Sequence, residues 1–239
     1  MLNRRAARQD CYNSGVAGDR RTIGEQNVVT SYLDLRRGIG ILGLVLPFVL
    51  VIGNLGLEPS ISAYYYTDTR NWFVGTMWAT GFFLIFYRYG KPDTVLSSIA
   101  GVLAILVSLF PATPEEVNPP THQVVIGDFH LVFAGGFLLL LAYFCLFLFT
   151  RSDVSPLDMT RQKKLRNKIY RGSGIAIIAG VVIAALFELL TSNAFRDAWH
   201  PVFWGEAVAV IAFGIAWLVK GETLFADRPE QPPPLRLAA

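Results

Sequence analysis

Three histidines, a set of carboxylates and a serine-bearing loop are the groups in this chain whose types suit chemistry. His122, His130 and His200 fall near the ends of apolar runs, as do Asp128, Glu188 and Glu206. Ser60, Ser62, Asp68, Arg70 and Asn71 stand in the stretch "EPSISAYYYTDTRNWFVG" (58–75). Two histidines with one or two carboxylates match the shell of a catalytic zinc, which takes three protein ligands and keeps an open water position. His130 and His200 are the candidate ligands, one of Asp128, Glu206 or Asp68 completes the shell, and a remaining carboxylate serves as general base. No HxxxH or HExxH pair supports this, so the signal lies in residue types and not in spacing. Ser62 with a histidine base is a second chemistry, without the G-x-S-x-G elbow that usually presents such a serine. A Glu/His proton relay is a third, and no inverted repeat or paired broken helix accompanies it.

Those groups are carried by a chain of 239 residues that is 53% hydrophobic, 13% aromatic and only 16% charged. A soluble domain averages roughly 25% charge, so the elements that position any site are expected to be membrane helices. A hydrocarbon core about 30 Å thick needs roughly 20 apolar residues in a helix. Six segments qualify, at 38–57, 71–89, 94–111, 126–150, 169–190 and 199–219. The fold class is therefore all-α, a polytopic membrane bundle of six transmembrane helices over 38–220. A basic tail (1–37) without an early apolar region precedes it, and a Pro-rich tail (221–239) follows. Cys11 and Cys145 are too few for a disulfide framework, and Cys145 reads as a small buried hydrophobe. There is no P-loop, dinucleotide turn or haem-attachment motif.

Orientation follows from Lys and Arg, which collect on the cytoplasmic side. The two tails with Lys220 at the end of the last span, the 88–93 turn and the 151–171 loop hold every Lys and Arg except Arg70 and Arg196. Both termini are thus expected in the cytoplasm of a bacterial inner membrane. The basic run "RQKKLRNKIYR" (161–171) is explained by that placement and by anionic headgroups, so lipids and not nucleic acid are the expected partners. The same partition puts all three histidines and Glu58, Asp68, Glu115, Glu116, Asp128, Glu188, Asp197 and Glu206 toward the outside. An outer polar pocket is expected there, formed by Ser62, Asp68, Arg70, Asn71, Asp128, His130, Glu188, His200 and Glu206. Tyr64, Tyr65, Tyr66 and Trp72 read as an interfacial aromatic belt.

Small residues indicate which helix faces point inward. Gly172, Ala176, Gly180 and Ala184 recur every four residues, a ridge for close helix approach or for pairing with a second copy. Glu188 is the next step on that ridge and is expected to face the bundle. Glu206 lies roughly 9 Å into its helix at 1.5 Å per residue and shares a face with Ala209, Ala212 and Ala216. Such a carboxylate needs a partner or a shifted pKa. His200 is about 120° away around the same helix.

The segments "PSISAYYYTDTRNWFVGT", "LFPATP", "HLVFAGGFLLLLAYFCLFLFT" and "PVFWGEAVAVIAFGIAWLVKGE" resemble a group of bacterial six-helix inner-membrane proteins to which no activity is assigned. The resemblance covers about residues 30–222 and implies a fold and a location. The chain is also distantly similar to the alkaline ceramidase and adiponectin-receptor superfamily of seven-helix zinc hydrolases. That similarity implies roles for Ser62, Asp68, His130 and His200, but the chain has six spans, no HxxxH in the last helix, and Tyr66 at the position of a histidine. Three functions follow as expectations. The first is binding of a lipid or amphiphile with its headgroup near Arg70 and Arg196. The second is metal-dependent hydrolysis of a lipid amide or ester with zinc as cofactor. The third is a structural or stress-related membrane factor whose cluster locks the helices together.

Overall fold

The computed structural model describes residues 30–88, 90–114, 118–152, 155 and 159–225, without the side chains of residues 193 and 197. Most of both expected tails, and Glu115 and Glu116, lie outside that range. The helices are α1 (Thr30–Asn54), α2 (Arg70–Phe86), α3 (Lys91–Leu109), α4 (Thr121–Tyr143), α5 (Arg161–Leu190), α6 (Asn193–Trp199) and α7 (Pro201–Lys220). A 3-10 helix spans Ser62–Tyr66 in the loop after α1, and α4 runs on through a π-helical turn at Phe144–Leu148. Among the described residues there is no β-strand.

Five of these helices, α1, α3, α4 with its π turn, α5 and α7, are long and apolar enough to cross a membrane. The expected span at 71–89 becomes α2, which is shorter at 17 residues. It stops at Phe86 because Tyr87 turns extended (ψ 105°) ahead of Gly90 and Pro92, which start the next helix. Four spans begin earlier than their apolar runs. α1 starts at Thr30, α3 at Lys91, α4 at Thr121 and α5 at Arg161, since Arg, Lys and Gln are good helix formers even where they are not apolar.

The six long helices close a ring in which α1 touches α2 and α7, and α2–α3, α3–α4, α4–α5 and α5–α7 pack pairwise. Three of the contacts are glycine against glycine. A Cβ placed on Gly101 would come 2.5 Å from the Gly81 carbonyl oxygen, and one on Gly214 would come 2.7 Å from that of Gly40. At Gly180 it would overlap the Gly205 carbonyl. Small residues let backbones meet where lipid supplies no hydrophobic drive for association.

The outward faces are apolar. Ile41, Phe48 and Ile52 on α1, Leu131 and Val132 on α4, and Ile175 and Leu186 on α5 are all exposed. A soluble protein rarely exposes contiguous apolar surface on this scale, so the fold is that of an integral membrane protein. One end of the ring is closed by aromatic packing. Trp217, fully buried, meets Tyr87 edge-on at 4.9 Å and Phe149 at 5.1 Å between ring centroids. Arg36 donates there to the Lys220 carbonyl (3.1 Å) and stacks on Tyr32. The candidate site occupies the opposite end.

Candidate functional site

The loop from Leu55 to Thr69 folds down onto the ends of α3, α4 and α7, and its own tyrosine makes that possible. Tyr64 is fully buried, donates its hydroxyl to the Gly56 carbonyl (2.8 Å) and accepts from the Glu58 N–H (3.3 Å). Burial holds the phenol above its ordinary pKa, so it stays a donor. The expected aromatic belt is therefore reduced to Tyr66 and Trp72, which are exposed, and half-buried Tyr65. Tyr64 faces inward because the 3-10 turn places it opposite Tyr66, whose hydroxyl reaches the Ala112 carbonyl at 2.7 Å.

Ser62, on the first turn of that helix, lies 2.8 Å from His130 Nε2. His130 is buried on α4, and its Nδ1 is 2.6 Å from the Phe110 carbonyl and 3.1 Å from that of Val107. Carbonyl oxygens only accept, so Nδ1 carries the proton and Nε2 accepts from the Ser62 hydroxyl. Both ring nitrogens are engaged. Glu206 closes the other side. Its Oε2 accepts from the Ile61 N–H at 2.7 Å, and the Ser62 N–H faces the same carboxylate. One turn earlier on α7, the Phe203 N–H donates to the Pro59 carbonyl at 2.9 Å. Glu206 thus has the partner its depth demanded, and that partner is loop backbone, not a cation.

Ser62, His130 and Glu206 are brought into contact; Glu188 lies near enough to Glu206 for their charges to interact, and the other candidates stand apart. Asp128 is exposed, since two residues on a helix put it about 160° around the axis from His130. Asp68 and Asn71 are exposed, and Arg70 lies over the Tyr65 ring, 4.0 Å from its centroid, and bonds its hydroxyl. His200 adopts a left-handed backbone (φ 45°) between α6 and α7, with its Nδ1 buried and without a hydrogen-bond partner. Glu188 corrects an expectation: its side chain is 56% exposed and pairs with Arg196 at 2.7 Å. A four-residue step overshoots one helical turn by about 40°, so two steps carry a residue about 80° away. Gly180 sits at the α5–α7 contact, whereas Gly172 and Glu188, two steps to either side, have rotated off it.

Comparison with protein-family models, curated proteins and solved structures finds no match to this chain.

The arrangement also bears on the metal reading. His130 has no ring nitrogen to spare, and among the described residues no three His, Cys, Asp or Glu side chains are grouped to hold an ion. The described residues therefore do not fit the zinc shell built on His130 and His200. Residue types had pointed to Ser62, His130 and Glu206 together. Their main partners, the Phe110 and Val107 carbonyls and the Ile61 N–H, are backbone groups that every residue has, so no sequence signal marks them.

Proposed function

We propose that this is a six-span protein of a bacterial cytoplasmic membrane with both termini inside. Its outer polar groups act as a clasp for the 55–69 loop and not as a reaction centre. One observation carries the reading: His130 spends Nε2 on Ser62 and Nδ1 on the Val107 and Phe110 carbonyls, and Glu206 spends its carboxylate on the Ile61 N–H, so both side chains are used up in tying the loop to α3, α4 and α7. The clasp is what lets irregular backbone sit at a membrane-facing end, because each buried N–H and C=O needs a partner there. It presents Tyr66, Asp68, Arg70, Asn71 and Trp72 on a fixed outer surface. This is a non-catalytic membrane factor. A length of 17 residues suffices for α2 to span, at the lower end of the usual range of about 17–25.

A second reading, Ser62 as an acyl-transfer nucleophile, draws on one specific feature. A hydroxyl 2.8 Å from an imidazole that a third group orients is the nucleophile–base pattern. Against it, Ser62 and His130 are both buried. The two N–H groups placed to form an oxyanion hole instead face the carboxylate of Glu206, which would repel a developing oxyanion.

Two variants and a probe separate these readings. Glu206→Gln keeps an acceptor for the Ile61 N–H and is expected to melt near wild type, whereas Glu206→Leu strands that donor and loses about 1–3 kcal/mol. Wild-type protein is expected to resist a fluorophosphonate probe. Covalent labelling at Ser62 would overturn the clasp in favour of the nucleophile. Topology is tested in a background lacking Cys11 and Cys145. Asp68→Cys should react with an impermeant maleimide in intact cells, and Ser152→Cys only after permeabilisation. The reverse pattern would invert the orientation.

A further inference from the structure

We propose that the α2–α3 turn seats one anionic phospholipid, its phosphate held by Arg88 and Lys91. The inference deepens the membrane reading: it rests on the helices lying in a bilayer, and not on which end faces the cytoplasm. Just past Tyr87, which follows the last residue of α2, a shallow and widely open groove is lined by Arg88, Gly90, Lys91, Thr94 and Val95.

The chemistry of the lining selects the ligand. Arg88 and Lys91 are exposed, and neither forms an ion pair with another described residue. A guanidinium grips phosphate through paired N–H donors, and an ammonium beside it adds a point charge. Gly90 leaves the floor open: a Cβ there would meet nothing closer than Asp93 Oδ2, at 3.6 Å. That carboxylate is the one negative group near the groove among the described residues. It is buried in the first turn of α3, where the positive end of the helix and Lys220 of α7 both act on it.

The apolar half of the ligand is matched as well. Val95, Ile99 and Val102 are each about half exposed and repeat at helical spacing, so a stripe runs from the groove along α3. On α2, exposed Phe82 and Phe86 stack at 6.5 Å between centroids and end at the same turn. A basic pair in a groove that opens onto two apolar stripes fits a phosphate ester with acyl chains, where a soluble anion would leave the stripes unused.

The test uses the full chain purified in a neutral detergent. Melting is followed with added phosphatidylglycerol, phosphatidylcholine of the same chains, or inorganic phosphate. Phosphatidylglycerol is expected to raise the midpoint, with phosphatidylcholine and inorganic phosphate having little effect. Arg88→Gln/Lys91→Gln should weaken the phosphatidylglycerol response at least tenfold in lipid concentration while its lipid-free midpoint stays at wild type. Lys164→Gln/Arg171→Gln removes as much charge from the same end and should not weaken it. Equal loss in both double variants would overturn the site in favour of diffuse charge attraction. An equal response to inorganic phosphate would overturn the lipid assignment. Carbonate extraction of membranes reports insertion independently, so failure of the site and failure of the membrane reading give different results.

Discussion

His130→Ala is expected to lower the stability of the protein in detergent by about 3–4 kcal/mol, because orphaned buried polar groups cost about 1–3 kcal/mol each. The substitution strands the Ser62 hydroxyl and the Phe110 and Val107 carbonyls at once, and it empties the volume of a buried ring. For a chain of this size, about 2–4 °C of melting temperature accompanies each kcal/mol, so the midpoint should fall by roughly 6–16 °C. Ser62→Ala should cost much less, about 1 kcal/mol, since it removes one donor from Nε2 and leaves both carbonyl bonds in place. The ordering is the informative part. A clasp makes the histidine, with its three contacts, the larger loss. Were both variants to melt with wild type, the Ser62–His130 contact would bear no structural load, and the nucleophile reading would be favoured.

The second large effect is a pair of identical substitutions on one helix with opposite outcomes. Gly180→Ala should destabilise by about 1–3 kcal/mol, the usual cost of overpacking. Its Cβ would overlap the Gly205 carbonyl oxygen, and a backbone atom cannot move aside by changing rotamer. The α5–α7 pair would have to separate along its length. Gly172→Ala, two ridge steps away, should instead be neutral or stabilising by up to about 1 kcal/mol, because nothing lies within 4 Å of its Cβ. Melting curves of both variants beside wild type decide the matter. A loss at both positions would mean that the whole ridge packs, contrary to the rotation that carries Gly172 off the contact.

Much of the architecture follows from hydropathy. Long apolar runs determine where helices lie, because in lipid a backbone must satisfy its own hydrogen bonds. The sequence by itself was enough for the all-α class, for five of the six expected apolar spans and for the burial of Cys145, which is free. It also singled out Glu206, since a carboxylate that deep among alanines must find a partner. The α2 limit was less legible, because Tyr87 and Arg88 continue the run in composition while the backbone has already turned at Tyr87.

What the tertiary structure decided is who meets whom. Ser62 and His130 are 68 residues apart, and nothing in either segment encodes their 2.8 Å contact. The loop must first be folded by Tyr64, whose buried hydroxyl gathers Gly56 and Glu58. Glu188 looked inward on a four-residue ridge, yet α-helices turn every 3.6 residues, and that difference, added twice, put it beside Arg196. Of the polar residues that were expected to line an outer pocket, Ser62, His130 and Glu206 hold the loop, Asp68, Arg70, Asn71, Asp128 and Glu188 stand exposed, and His200 keeps a buried Nδ1 outside the cluster. Side-chain types are a local property of the chain. Whether they line a cavity or close one depends on backbone donors and acceptors, which carry no residue identity and become visible only when helices distant in sequence are brought together.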